Sequence, residues 1–232
     1  MQRLAAMTML ATLTAGSFHA AAEEPIGATF MLDELEYVID DGADPIAWSA
    51  ALAVGNSERQ LWLVSEGGHN RGSLEEHEVH AYLAQTLGDS ATLIMGWRGD
   101  LKPEPDRNWG MLGIENTWLF DIESSLATYF GSDGDTALRF KLGREWTLAP
   151  RLTLVPELET NAFGQTDLET GVGSGFADIE IAARLFYALS DSATAYVGAV
   201  WAQPLGNTRD IARAEGEGGS ESAVLLGFSF EF

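Results

Sequence analysis

The sequence predicts an all-β protein, an antiparallel transmembrane β-barrel of about twelve strands ending on a C-terminal Phe. Three observations predict it. Hydropathy alternates with period two over most of the chain after residue 28, the alternating runs are mostly ten residues or longer, and short and long connections take turns between them. Strict alternation puts apolar side chains on one face of a strand and polar ones on the other. A tilted strand needs ~9–11 residues to cross a bilayer, whereas strands in soluble sheets cluster at ~5–6. Tight turns on one side and longer loops on the other are the connection pattern of outer-membrane barrels.

Turn signals delimit strands at about 28–39, 45–54, 58–67, 74–86, 91–100, 108–117, 119–130, 135–148, 151–163, 175–189, 193–204 and 221–232. Alternation is plainest in Leu152-Thr153-Leu154-Val155-Pro156-Glu157-Leu158-Glu159 and in Leu138-Arg139-Phe140-Lys141-Leu142. Gly55-Asn56-Ser57, Gly88-Asp89-Ser90, Ala149-Pro150 and Ser190-Asp191-Ser192 are short connections after even-numbered strands. Gly68 to Ser73, Leu101 to Arg107, Gly164 to Ser174 and Leu205 to Ser220 follow odd-numbered ones, and no segment carries a comparable helical stripe. The last strand places Phe228, Phe230 and Phe232 on one face.

Composition narrows the function. The 232 residues carry 13 basic and 35 acidic side chains, a net charge of −22, which excludes a nucleic-acid partner held through phosphates. With 46% hydrophobic residues and seven Trp the chain is not disordered in composition. Cysteine is absent, so disulfides, thiolate metal sites and a Cys nucleophile are excluded. Residues 1–22 read as a signal peptide: Arg3, an apolar run from Leu4 to Leu13 too short to span a bilayer, and Ala20-Ala21-Ala22 as a small-residue cleavage pattern. The mature barrel is then 23–232.

Parity assigns the faces. Leu61, Leu63, Val79, Leu83, Leu93, Ile122, Leu154, Leu158, Ile179, Ile181, Val197 and Trp201 fall on the lipid face, with Trp48, Trp97, Trp118, Trp146 and Tyr187 near strand ends as an interfacial belt. Met31 and Met95 are also assigned to lipid. The opposite face carries the charges.

Several segments resemble the copper resistance protein B family of Gram-negative outer-membrane barrels. They are Leu32-Asp33-Glu34-Leu35-Glu36-Tyr37, Leu61-Trp62-Leu63-Val64-Ser65-Glu66-Gly67, Glu76-His77-Glu78-Val79-His80-Ala81-Tyr82 and Gly96-Trp97-Arg98-Gly99-Asp100. Asp133-Gly134-Asp135-Thr136-Ala137-Leu138-Arg139, Gly173-Ser174-Gly175-Phe176-Ala177-Asp178, Ala195-Tyr196-Val197-Gly198 and Asp210-Ile211-Ala212-Arg213-Ala214 continue it, in order, over residues 30–232. The resemblance implies copper tolerance at the outer membrane, with copper ions as cargo and a periplasmic multicopper oxidase as a partner. Family members commonly carry a Met- and His-rich segment ahead of the barrel. Here Glu23 to Gly27 is all that separates the expected cleavage point from strand 1, so metal chemistry is expected in the barrel or its loops.

The candidate metal ligands are Glu36, Glu66, Glu78, His80, Asp100 and Met111, all assigned inward toward the loop end. Carboxylates and an imidazole suit copper(II) and zinc, and the carboxylates alone suit calcium. The alternative is a purely structural lumen network in which Arg98, Arg139, Lys141 and Arg184 neutralise Asp121, Glu123, Glu157, Glu159, Glu180 and their neighbours, because isolated buried charges are costly. His69 and His77 read as a loop pair or as solvated residues, and Asp210, Arg213, Glu215 and Glu217 as a solvated loop. Three functions stay open: a copper-binding or copper-passing barrel, a small cation-preferring pore, and an outer-membrane lipid hydrolase. The last requires a lipid-facing Ser beside His77, for which the sequence offers no pattern. The expected state is a monomer in outer-membrane lipid, without enzymatic activity.

Overall fold

The computed structural model describes residues 25–39, 46–70, 72–118, 120–132, 134–216 and 219–232. The expected signal peptide, its cleavage before Glu23, and Glu217 lie outside the described residues. Twelve antiparallel strands close into one barrel: β1 (Gly27–Ile39), β2 (Ile46–Gly55), β3 (Arg59–Asn70), β4 (Ser73–Leu87), β5 (Ala91–Lys102) and β6 (Arg107–Trp118) form its first half. The second half is β7 (Ile122–Gly131), β8 (Thr136–Arg144, resuming after Glu145 as Trp146–Ala149), β9 (Leu152–Phe163), β10 (Asp178–Ala188), β11 (Ala193–Pro204) and β12 (Glu221–Glu231). Each strand pairs with the next, and β1 pairs with β12 to close the ring. Phe30 and Phe232 exchange backbone hydrogen bonds of 2.9 and 2.8 Å at that seam. Closure removes every sheet edge, which a bilayer demands because lipid offers no hydrogen-bond partner to a free N–H or C=O.

The face assignment explains the burial. Leu61, Leu63, Leu83, Met95, Ile181 and Val197 are exposed, while Trp62, Val64, Ile94, Met111 and Tyr129 between or opposite them are buried in the interior. The apolar residues that meet no protein are those that face lipid. Short connections sit at one end. There Asn56 Oδ1 accepts from the backbone N–H groups of Glu58 and Arg59 at 3.1 and 2.9 Å, closing the first tight turn.

Four expectations are corrected. Strand β3 runs to Asn70 and β4 begins at Ser73, so Gly68 to Ser73 is no long loop. Gly67 belongs in the strand because Trp48 lies over it; a Cβ there would come within 2.5 Å of the indole. Strand β7 starts at Ile122, since Phe120 and Asp121 have φ of 68° and 54°, the left-handed conformation that a tight hairpin needs at its two central positions. Met31 packs against the interior cluster around Trp62 and Met111 instead of lipid. The long last connection holds a helix, α1 (Gly206–Ala214), with Thr208 and Ala212 buried one turn apart. Gly173 donates its N–H to Thr208 Oγ1 at 2.9 Å, and Asn207 Nδ2 donates to the Ser174 carbonyl at 2.9 Å, so the β9–β10 and β11–β12 connections fold onto each other.

Candidate metal site in the lumen

The Met31 correction has a local cause that also shapes the site. Along β1–β2 the register runs Leu32 opposite Ala50, then Glu34 opposite Ser49, leaving Asp33 unpaired in a bulge. The extra residue flips parity. Glu34 and Glu36 point inward after the bulge, Met31 points inward before it, and Asp33 itself lines the lumen cavity. Uninterrupted alternation therefore missed Asp33; two consecutive acids after a bulky apolar run are the available signal.

Cross-strand register then stacks polar side chains on one wall. Glu34 lies opposite Ser49, Ser49 opposite Glu66, Glu66 opposite Glu78, and Glu78 opposite Asp100. On the next row His80 lies between Val64 and Arg98. Glu66, Glu78 and His80 each bring a donor atom to within 4.8 Å of the other two, the one group of three such donors among the described residues. His80 and Glu66 are buried and Glu78 half-buried. His80 Nε2 lies 3.3 Å from Glu78 Oε2. Beside the group is a cavity of about 90 Å³ whose wall includes Asp33, Glu66, His80, Met111 and Glu115. Met111 thus shares the cavity with His80.

The other expected ligands are engaged elsewhere. Asp100 accepts from Arg98 Nε at 2.5 Å and from the Trp109 indole at 2.8 Å. Glu36 belongs to a second cluster around Arg184, a guanidinium only 1% exposed. Arg184 meets Glu36 at 2.7 Å, Glu157 at 2.6 Å and Glu34 at 3.0 Å. The expected neutralising network is present in part. Arg98 and Arg139 hold Glu78, and Lys141 Nζ lies 3.1 Å from Glu159. Glu180 is buried with its Oε1 unpartnered. Glu123 is half-buried beside the turn end of β7. Asp121 is outside the lumen altogether, exposed in the β6–β7 turn whose geometry ends the strand before it can face inward.

The outer surface holds a pair that sequence pattern did not offer. Ser65 Oγ lies 3.2 Å from His77 Nε2, because Gly67 opposite His77 brings β3 and β4 into that register. Trp48 donates its indole N–H to the same hydroxyl at 3.3 Å. The pair has no carboxylate hydrogen-bonded to His77 among the described residues. It is an interfacial cluster of Trp, Ser and His, lacking the orienting group of a hydrolytic triad. His69 is exposed at the loop end of β3 and joins no three-donor group.

Comparison with known proteins places this geometry. The family model described as copper resistance protein B precursor (CopB) matches residues 26–232. Copper resistance protein B of Escherichia coli is 32% identical over 211 residues, covering 90% of this chain and 71% of that one. The copper resistance protein B homolog of Pseudomonas syringae pv. tomato is 29% identical over 222 residues, covering 96% and 76%. Among solved structures the NanC porin superposes with a TM-score of 0.57 at 15% identity over 88% of this chain and 99% of its own. The KdgM porin does so at 0.51 and 14%, with the same coverage. Those likenesses show the fold, a closed antiparallel barrel like that of porins, and the copper resistance family indicates a non-enzymatic protein. The chain belongs to the copper resistance protein B family.

Proposed function

We propose that this barrel serves copper resistance by holding copper ions inside its lumen, at Glu66, Glu78 and His80, as they cross the outer membrane. The observation that carries the reading is the convergence of two carboxylates and an imidazole within 4.8 Å beside a small acidic cavity. Oxygen and imidazole donors suit copper(II), and the Met111 thioether in the same wall adds a soft donor acceptable to copper(I). Relatives named for copper resistance support the role. A simple open pore is disfavoured by the filling of the lumen: Trp62, Tyr129, Phe186, Tyr196 and Leu225 are all buried inside the barrel. Export through a leader cleaved before Glu23, a monomeric barrel over 23–232, and transfer to a periplasmic multicopper oxidase belong to the same reading.

The test is copper retained per refolded barrel after dialysis, for wild type and for Glu78→Gln combined with His80→Ala. About one copper in wild type, lost in the variant and undisturbed by excess calcium, is expected. No retained copper in wild type removes the lumen site.

A further inference from the structure

Glu78 is held by two guanidiniums as well as by His80. Its Oε1 accepts from Arg98 Nη2 at 2.7 Å and Arg139 Nη2 at 3.1 Å. Its Oε2 accepts from Arg139 Nη1 at 3.2 Å. Arg98 comes from β5, and Arg139 reaches in from β8, three strands farther round the ring, so the two guanidiniums meet across the lumen. Both lie over the Tyr129 ring, with their central carbons 4.8 and 6.0 Å from its centroid. A cation–π seat holds a guanidinium in place without neutralising it. Carboxylates stand on either side. Asp100, Glu159 and Asp178 are toward the loop ends of their strands, and Asp33, Glu66 and Glu115 line the cavity, whose wall also holds Arg139 and Lys141.

We propose that Arg98 and Arg139 form a guanidinium gate across the lumen, latched on Glu78 and opened when a cation takes Glu78 from them. The inference rests on the lumen being a cation route and adds the device that closes it. A free cation moving between the two acidic zones must pass two fixed positive charges. The contacts make the exchange reversible, because neither arginine is stranded when Glu78 is lost. Arg98 keeps Asp100 through Nε at 2.5 Å. Arg139 keeps Asn161 Oδ1 at 3.0 Å and Glu159 at 3.3 Å, also through Nε. Each guanidinium therefore uses its outer nitrogens as the latch and its Nε as the hinge point. An ion that binds carboxylate and imidazole tightly displaces both forks; potassium, which binds them weakly, does not.

Single-channel conductance in planar bilayers bathed in potassium chloride tests the gate without any copper. Arg98→Gln with Arg139→Gln is expected to raise conductance at least threefold and to increase cation preference. Glu78→Gln, which frees the latch but keeps both charges, is expected to give a smaller rise. Arg98→Lys with Arg139→Lys keeps the charge but loses the fork and the Nε anchor, and is expected to fall between wild type and the glutamine pair. Folding of each variant is verified by the heat-dependent mobility shift of the barrel on gels. Folded glutamine variants that conduct as wild type overturn the gate, whether or not copper is retained. Raised conductance with no copper retained in wild type leaves the gate standing and removes the copper reading.

Discussion

Glu78 and Arg139 meet through two parallel contacts of 3.1 and 3.2 Å although 61 residues separate them in the chain. They tie β4 to β8 across the interior, where backbone pairing cannot, since those strands are not neighbours in the ring. Both side chains are largely buried, and forked guanidinium–carboxylate pairing is the strong form of a charge-assisted hydrogen bond.

A double-mutant cycle measures that tie. Glu78→Gln and Arg139→Gln, singly and together, are expected to show a coupling of ~1–3 kcal/mol in urea unfolding of the lipid-reconstituted barrel, the range for contacting polar partners. Additive single effects would reduce the contact to a crossing without energetic weight.

Glu66 and Glu36 were equivalent in the sequence, both inward acids near the loop end, and the structure separates them. Glu66 sits 4.8 Å or less from its fellow donors Glu78 and His80. Glu36 is held by Arg184 at 2.7 Å. Glu66→Gln is expected to weaken copper retention tenfold or more, and Glu36→Gln to leave it within twofold. Competition dialysis on the two variants compares them directly, and an equal loss from both would contradict the assignment.

The barrel was legible because its signals are redundant. Every long run from Leu61-Trp62-Leu63 to Leu154-Val155-Pro156 carries the same period, and one slip spoils only one strand. The inward placement of Glu66, Glu78 and His80, half of the expected ligand set, follows from parity alone. What stayed hidden depends on departures from the period. The bulge at Asp33 inverted Met31 and concealed a cavity acid. Gly68 to Asn70 looked like the start of a loop because glycine, histidine and asparagine carry no alternation, yet β3 continues through them. Asp121 looked like a lumen acid because nothing in Trp118-Leu119-Phe120 announces two positive φ angles. The pairing of Arg98 with Asp100 and of Glu36 with Arg184 depends on side-chain reach across the lumen, which register in one dimension does not contain.

Arg184 is the centre of the second cluster, with Glu34, Glu36 and Glu157 within 3.0 Å and all four residues almost fully buried. Apolar layers enclose it: Val38, Ala182, Val200 and Leu225 form one, and Val155, Phe186 and Tyr196 another. Removing the cation takes from three buried carboxylates the guanidinium that pairs with each of them. Arg184→Leu is expected to destabilise the barrel by ~3–5 kcal/mol, the usual cost of stranding a buried charge. Urea unfolding of reconstituted barrel measures it, and a change below ~1 kcal/mol would show that water reaches the cluster.

Met31 and Phe30 test the bulge. In the barrel Phe30 is exposed on the lipid face while Met31 packs inside against the Trp62–Met111 cluster, the reverse of uninterrupted parity from Glu34. The chain has no cysteine, so a single Cys introduced at either position is the sole thiol to label. Phe30→Cys carrying a fluorophore is expected to be quenched strongly by brominated lipid, and Met31→Cys weakly. A glycine-free deletion of Asp33 removes the extra residue. Its expected effect is to restore continuous alternation with each neighbour on its present face, Phe30 outward and Met31, Glu34 and Glu36 inward. In the Asp33 deletion the quenching should therefore stay weak at position 31 and strong at position 30, with the fold retained. Strong quenching of Met31→Cys already in the parent chain would mean that β1 runs without the bulge and that Asp33 does not reach the cavity.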